Sequence, residues 1–174
     1  MTFTRKIFPF LICSFLFCNF STTRSDGEYP LKAAFLYRFI DYVEWSNNNN
    51  DPTFNIAILG GSPIVSSLNE IAANKLAKGK RMNIREYENL SDITSCQVLF
   101  VSKNARAPIE TIISKMSDRP VLIVSEQNGF AQKGAHINFF FSESKLKFEV
   151  NIKSATRVGL KLSSQLLQHA VLVD

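Results

Sequence analysis

Residues 119–167 constrain the fold of this chain more than any other stretch. They read RPVLIVSEQNGFAQKGAHINFFFSESKLKFEVNIKSATRVGLKLSSQLL. The apolar run at 121–124 reads as a buried strand, and a loop carrying Gly129 and Gly134 follows it. Two further runs, 137–141 and 146–150, flank the polar residues 142–145 and predict a hairpin. In its second arm Leu146, Phe148 and Val150 alternate with Lys145, Lys147 and Glu149, so one face of that arm is wet. Residues 152–171 predict a closing helix with Ala155, Val158, Leu162, Leu166 and Ala170 inward.

The residues before this stretch repeat a strand–helix rhythm. Leu31, Phe35, Leu36, Phe39, Ile40 and Val43 recur at helical spacing over 31–45, with Lys32, Arg38, Asp41 and Glu44 on the other face. A polar loop, SNNNNDP, follows at 46–52. Residues 54–59 read as a strand. Ser62 and Pro63 then suit the start of a helix that buries Val65, Leu68, Ala72 and Leu76 and stops at Gly79. Met82 and Ile84 alternate with polar neighbours, as in an edge strand. Residues 98–101 read as a buried strand. Pro108 opens a helix with Ile109, Ile112, Ile113 and Met116 inward. The expected fold is α/β: a single-domain sandwich whose mostly parallel sheet is flanked by helices, ending in an antiparallel hairpin and the closing helix.

At 174 residues, 45% of them hydrophobic and fifteen of them Phe, the chain can bury one sizeable core. The N-terminus has a secretory pattern: Arg5 and Lys6, then an apolar run over 7–20, then Ser21, Thr22, Thr23 and Ser25. The run is short for a membrane span. Residues 1–25 are therefore expected to be a cleaved signal peptide and 26–174 the working domain of an exported protein. Without Arg5 and Lys6 the chain has 18 basic against 15 acidic residues, too mild and dispersed a balance to argue for nucleic acid.

No residue arrangement announces catalysis, so no catalytic residue is expected. Gly60, Gly61, Ser62 and Pro63 open a helix that could hold an anion, but no P-loop lysine or dinucleotide fingerprint accompanies them, and a structural turn is the simpler reading. No serine lies in a nucleophile elbow, and nothing ties His136 or His169 to one. No metal and no cofactor is expected, since the two histidines and three cysteines lack ligand spacing. Cys96, the one cysteine outside the leader, reads as a buried small hydrophobe. Glu149 and Asn151, at the junction of hairpin and closing helix, either line a cleft or serve as solvated face and helix cap. Ser163 and Ser164 fall in the middle of the expected helix, where serine is a poor choice.

The segment KAAFLYRFIDYVEW at 32–45 carries a family resemblance, joined by Leu59–Gly60, Cys96 before LFVS, RPVL at 119–122, FEVN at 148–151 and GLKLSS at 159–164. Together they resemble the YfiR family of periplasmic proteins over residues 31–171. Ser46 departs from the family's usual proline, and Ala135–His136 from its glycine and apolar residue. The unmated Cys96 departs from relatives that form disulfides. The resemblance implies a periplasmic repressor that binds the sensor part of an inner-membrane diguanylate cyclase. It also implies a homodimer, and an outer-membrane lipoprotein that draws the repressor away. Tyr37, Trp45, Glu149 and Asn151 match the motifs and are the residues singled out for partner or ligand binding. The alternative is a small-ligand sensor or solute-binding domain with a pocket near the hairpin and last helix.

Overall fold

A computed structural model describes residues 27–46 and 51–174. The expected signal peptide at 1–25 lies outside those residues. The chain runs α1 (Glu28–Tyr42), β1 (Val43–Trp45), β2 (Thr53–Leu59), α2 (Ile64–Asn74), β3 (Leu76–Ala77) and β4 (Lys80–Tyr87). A 3-10 turn (Leu90–Asp92), β5 (Val98–Val101), α3 (Ile109–Met116), β6 (Leu122–Ser125), β7 (Ile137–Ser142) and β8 (Lys145–Asn151) follow. The chain ends with α4 (Ile152–Arg157), β9 (Leu160–Leu162), α5 (Ser164–Leu167) and β10 (Val171–Val173).

Eight strands form one sheet in the order β10-β8-β7-β6-β5-β2-β4-β3. Strands β4, β2, β5, β6 and β7 are parallel to one another, and β7 and β8 form the expected antiparallel hairpin. Its two-residue turn holds Glu143 and Ser144 at φ 51° and 63°, the left-handed geometry that matches strand twist. The α/β class with a mostly parallel sheet is as the sequence predicts.

The central strands are apolar on both faces because both are covered. Ile56, Ile58, Val98, Phe100, Leu122 and Val124 pack under α1 and α2. Ala57, Leu59, Leu99, Val101 and Ile123 pack with Ile109, Ile112 and Met116 of α3. Helix α1 is seated on the hairpin through aromatic contacts. Phe39 meets Phe148 edge-on at 4.9 Å between ring centroids and stacks on Phe139 at 5.6 Å. Each such pair is worth about 1 kcal/mol beyond the area it buries.

Three elements differ from expectation. The first helix ends at Tyr42, and Val43–Trp45 is a strand paired antiparallel with β9. Its buried stripe is rotated: Lys32 is 4% exposed and Leu31 47% exposed, the reverse of the expected assignment. Leu76 leaves the second helix for β3 and is exposed. The closing helix is broken into α4 and α5 with β9 between them and β10 after them. Gly159 causes the break. It sits at φ +80°, and a Cβ there would lie 2.6 Å from Ser46 Oγ. Ser163, out of place mid-helix, is the N-cap of α5 and accepts from Leu166 N at 3.3 Å.

Gly60 is the tighter case. It has φ +76°, and an added Cβ would lie 2.5 Å from Ala105 N and 2.7 Å from its Cα. Backbone cannot rotate aside as the Ser46 side chain can. Gly159→Ala is therefore expected to cost about 1–3 kcal/mol from backbone strain alone, and Gly60→Ala more than that. Urea midpoints of the two variants against wild type check the ordering.

Candidate functional site

The four residues singled out by the sequence fall into two separate pairs on opposite faces of the sheet. Tyr37 and Trp45 are on the α1 side. The Tyr37 hydroxyl donates to Leu76 O at 3.0 Å, tying α1 to β3. Trp45 Nε1 donates to Gln97 O at 3.2 Å, and its ring meets Phe54 edge-on at 5.4 Å. Glu149 and Asn151 share the other face of β8, since Phe148 and Val150 between and beside them point into the α1 core. The Glu149 carboxylate accepts from Gln132 Nε2 at 2.9 Å and Asn138 Nδ2 at 3.1 Å. Asn151 is buried and caps α4: its Oδ1 accepts from Ser154 N at 2.8 Å and its Nδ2 donates to Ala131 O at 3.0 Å.

The crevice where such sheets usually take ligands is closed by the chain itself. In the parallel order β4-β2-β5-β6-β7 the first strand is second in line, so the topology reverses beside β2. At the carboxyl ends there, Asn104 Nδ2 donates to Gly61 O at 2.6 Å and Ser102 N donates to Leu59 O at 3.1 Å. The anion position ahead of α2 is taken by a side chain of the same chain: Ser62 N donates to Glu86 Oε1 at 2.9 Å. The Gly60–Pro63 segment is thus a structural turn.

The nucleophile and base types are committed elsewhere. His136 is buried, and its Nδ1 accepts from Ile123 N at 3.0 Å. Burial lowers its pKa to about 4, with a backbone hydrogen bond at Val121 opposing. Cys96 is buried, and desolvation pushes its thiol up to about 12 against the pull of Arg119. Such a thiol packs and does not react. The buried hydroxyls of Ser102 and Ser125 accept from Asn104 N at 3.1 Å and Gln127 N at 3.2 Å. Among the described residues no group of three His, Cys, Asp or Glu could hold a metal.

The feature that the sequence did not announce is centred on Lys32. Its ammonium is buried and pairs with Glu28, one helical turn earlier, and with Glu126, whose side chain is 2% exposed. Burial depresses the Lys32 pKa, but the hydrogen bonds and charges of Glu126 and Glu28 more than offset this, and it is held above its ordinary value. Glu126 also accepts from Lys103 N at 3.0 Å. The pair joins the start of α1 to the carboxyl end of β6. Beside it lies a cavity of about 280 Å³ walled by Glu28, Lys32, Lys103, Asn128 and the run Phe139, Phe140, Phe141. Nothing in the local sequence marks Glu126 as the mate of a lysine 94 residues away. The usable signal was Lys32 itself, a cation one place from the apolar stripe.

Two effects can be measured here. Lys32→Met strands a buried carboxylate and is expected to cost about 3–5 kcal/mol, most of it regained in Lys32→Met/Glu126→Leu; denaturant midpoints of both variants decide. For His136 the folded pKa lies below the unfolded one. The neutral ring therefore stabilises the fold fully above about pH 6.5, and that contribution, up to about 3 kcal/mol, fades as pH falls toward 4. An NMR titration is expected to show the His136 ring still neutral at pH 5.

A family model described as YfiR/HmsC-like (DUF4154) matches residues 29–171. No curated protein matches the sequence. Among solved structures, a conserved domain protein from Vibrio cholerae O1 biovar El Tor aligns with TM-score 0.56 and 13% identity. The ABC domain in complex with L-Trp from Streptococcus pneumonia aligns with TM-score 0.57 and 10% identity. Each match covers 84% of this chain and 60% of the other, so at these identities the likeness is one of fold.

Proposed function

The chain belongs to the YfiR/HmsC-like family, and from that membership we propose that it is a periplasmic regulator that binds the sensor part of an inner-membrane diguanylate cyclase and holds it inactive. The match over residues 29–171, nearly all of the described chain, carries this reading. The task is conformational and requires no bond to be made. A protein that binds the inactive state of the cyclase more tightly than the active one shifts the population toward it. Self-association as a homodimer and capture by an outer-membrane lipoprotein belong to the same proposal, as does export by a signal peptide at 1–25.

Within this reading Glu149 is the contact residue of choice among the four. Asn151 is buried, and Trp45 and Tyr37 each donate their one polar hydrogen to a backbone carbonyl, whereas Glu149, half-buried and accepting from Gln132 and Asn138, carries a charge that no ion pair among the described residues neutralises. A second reading, a small-ligand sensor, is favoured by the cavity beside Lys32 and Phe140. It places the ligand at the hairpin and the start of α1 and not at the end of the chain.

Capture of a detergent-solubilised diguanylate cyclase from the same cell by the immobilised protein tests the first reading. Glu149→Arg is expected to weaken that capture about tenfold or more. Asn151→Ala is expected to lower stability by about 1 kcal/mol through the lost cap. If Glu149→Arg captures the cyclase as wild type does, the docking assignment is wrong; if wild type captures none, the regulator reading is.

A further inference from the structure

The face of the sheet opposite α1 and α2 is incompletely covered. The crossover from β4 to β5, residues 88–97, holds only the 3-10 turn Leu90–Asp92 where a longer helix would shield the strands beneath. α3 packs with Leu99, Val101 and Ile123, and of β4 Tyr87 alone reaches that cluster. Among the described residues no helix covers the start of β2 or residues 81–85 of β4 on this face, and the register brings Asn55 opposite Asn83 and Ala57 opposite Arg85.

The opening is a cavity of about 270 Å³ whose polar lining is Thr53, Asn55, Asn83, Arg85, Tyr87, Thr94 and Ser95. Asn83 Nδ2 donates to Asn55 Oδ1 at 2.8 Å, which engages one polar atom of each amide and leaves Asn55 Nδ2 and Asn83 Oδ1. Those two atoms, the Arg85 guanidinium and the hydroxyls of Tyr87, Thr94 and Ser95 make no hydrogen bond or ion pair to protein among the described residues. Ala57, which is buried, also lines the cavity.

We propose that this cavity is a binding site for one anionic sugar, a hydroxylated ring bearing a carboxylate or a phosphate. Among the described residues Arg85 is the one charged residue of the lining and no carboxylate joins it there, so the ligand carries negative charge. Hydroxyls and amides that both donate and accept suit a ring of hydroxyls. The volume admits a single ring and no more. The lining offers little apolar surface beyond Ile56, Ala57 and the Tyr87 ring, which argues against a hydrophobic ligand. The carboxylate and the phosphate share this chemistry, and the test separates them.

The probes are glucuronate, glucose 6-phosphate and glucose, titrated into the 15N-labelled protein and followed by NMR. One of the two acids is expected to shift the backbone amides of Asn83, Arg85, Thr94 and Ser95 saturably at millimolar concentration, and the tighter acid identifies the head group. Glucose is expected to bind about tenfold more weakly, and Arg85→Ala to lose about tenfold for the acid, the worth of one charge-assisted hydrogen bond. Ser95→Leu, an exposed position that leaves the core untouched, is expected to block the cavity. The proposal is overturned if neither acid shifts these amides, if glucose binds as tightly, or if Arg85→Ala binds the acid like wild type. The site is independent of the regulator reading, and its failure leaves that reading standing.

Discussion

A mostly parallel sheet has two faces to keep from water, and among the described residues long helices cover only one of them. Everything else in the structure follows from that shortage. α1 and α2 cover one face and give the larger core. On the other, the eight-residue α3 covers the middle, and loops with short turns cover the rest. Strands that must sit under a helix are apolar on both sides, as β5 and β6 are. Where cover runs out, β2 and β4 carry Thr53, Asn55, Asn83 and Arg85 on the open side. The polar cavity there is a consequence of topology, and its chemistry is set by which side chains replace the missing helix.

The covered face depends in turn on how α1 is held. Phe39 locks it to the hairpin through Phe139 and Phe148, a contact that is strong but indifferent to small rotations. Lys32 supplies the direction. Its bond to Glu126 is reached only if the helix is turned to bury residue 32 and expose residue 31. A buried ion pair is weak evidence for stability, because desolvation offsets most of the attraction. Its value here is to specify one orientation of an otherwise greasy helix. The same pair walls the second cavity, so a ligand or partner that disturbed Lys32 would also disturb the seating of α1.

The parts legible in the sequence were those whose signal is local. Residues 54–59, 98–101 and 121–124 are apolar runs bounded by turns, and each is a strand. The hairpin was announced by alternation around 142–145, and α3 by Pro108 and the spacing of Ile109, Ile112 and Met116. The parts missed depend on pairing across the chain. Val43–Trp45 is helical by spacing and a strand in fact because β9 supplies its hydrogen bonds, and β9 exists only because Gly159 breaks the helix that Ala155, Val158 and Leu162 would otherwise continue. The two errors are one event seen from both ends. Glycine at 159 and serine at 163 were the available warnings. The Lys32–Glu126 pair had no comparable warning, since an ion pair between residues so distant in sequence has no periodicity. Of the four residues picked from motifs, Asn151 kept the cap role that its position suggested, and Tyr37 and Trp45 serve the fold.

We propose that this protein acts by contact with the sensor part of a membrane cyclase. The most direct measurement is the rate of cyclic di-GMP synthesis by a purified full-length diguanylate cyclase from the same cell, reconstituted in vesicles with its sensor part accessible, as this protein is added. The account predicts a saturable fall in rate at a stoichiometric ratio of the two proteins. A rate that stays constant while the proteins fail to associate would contradict it.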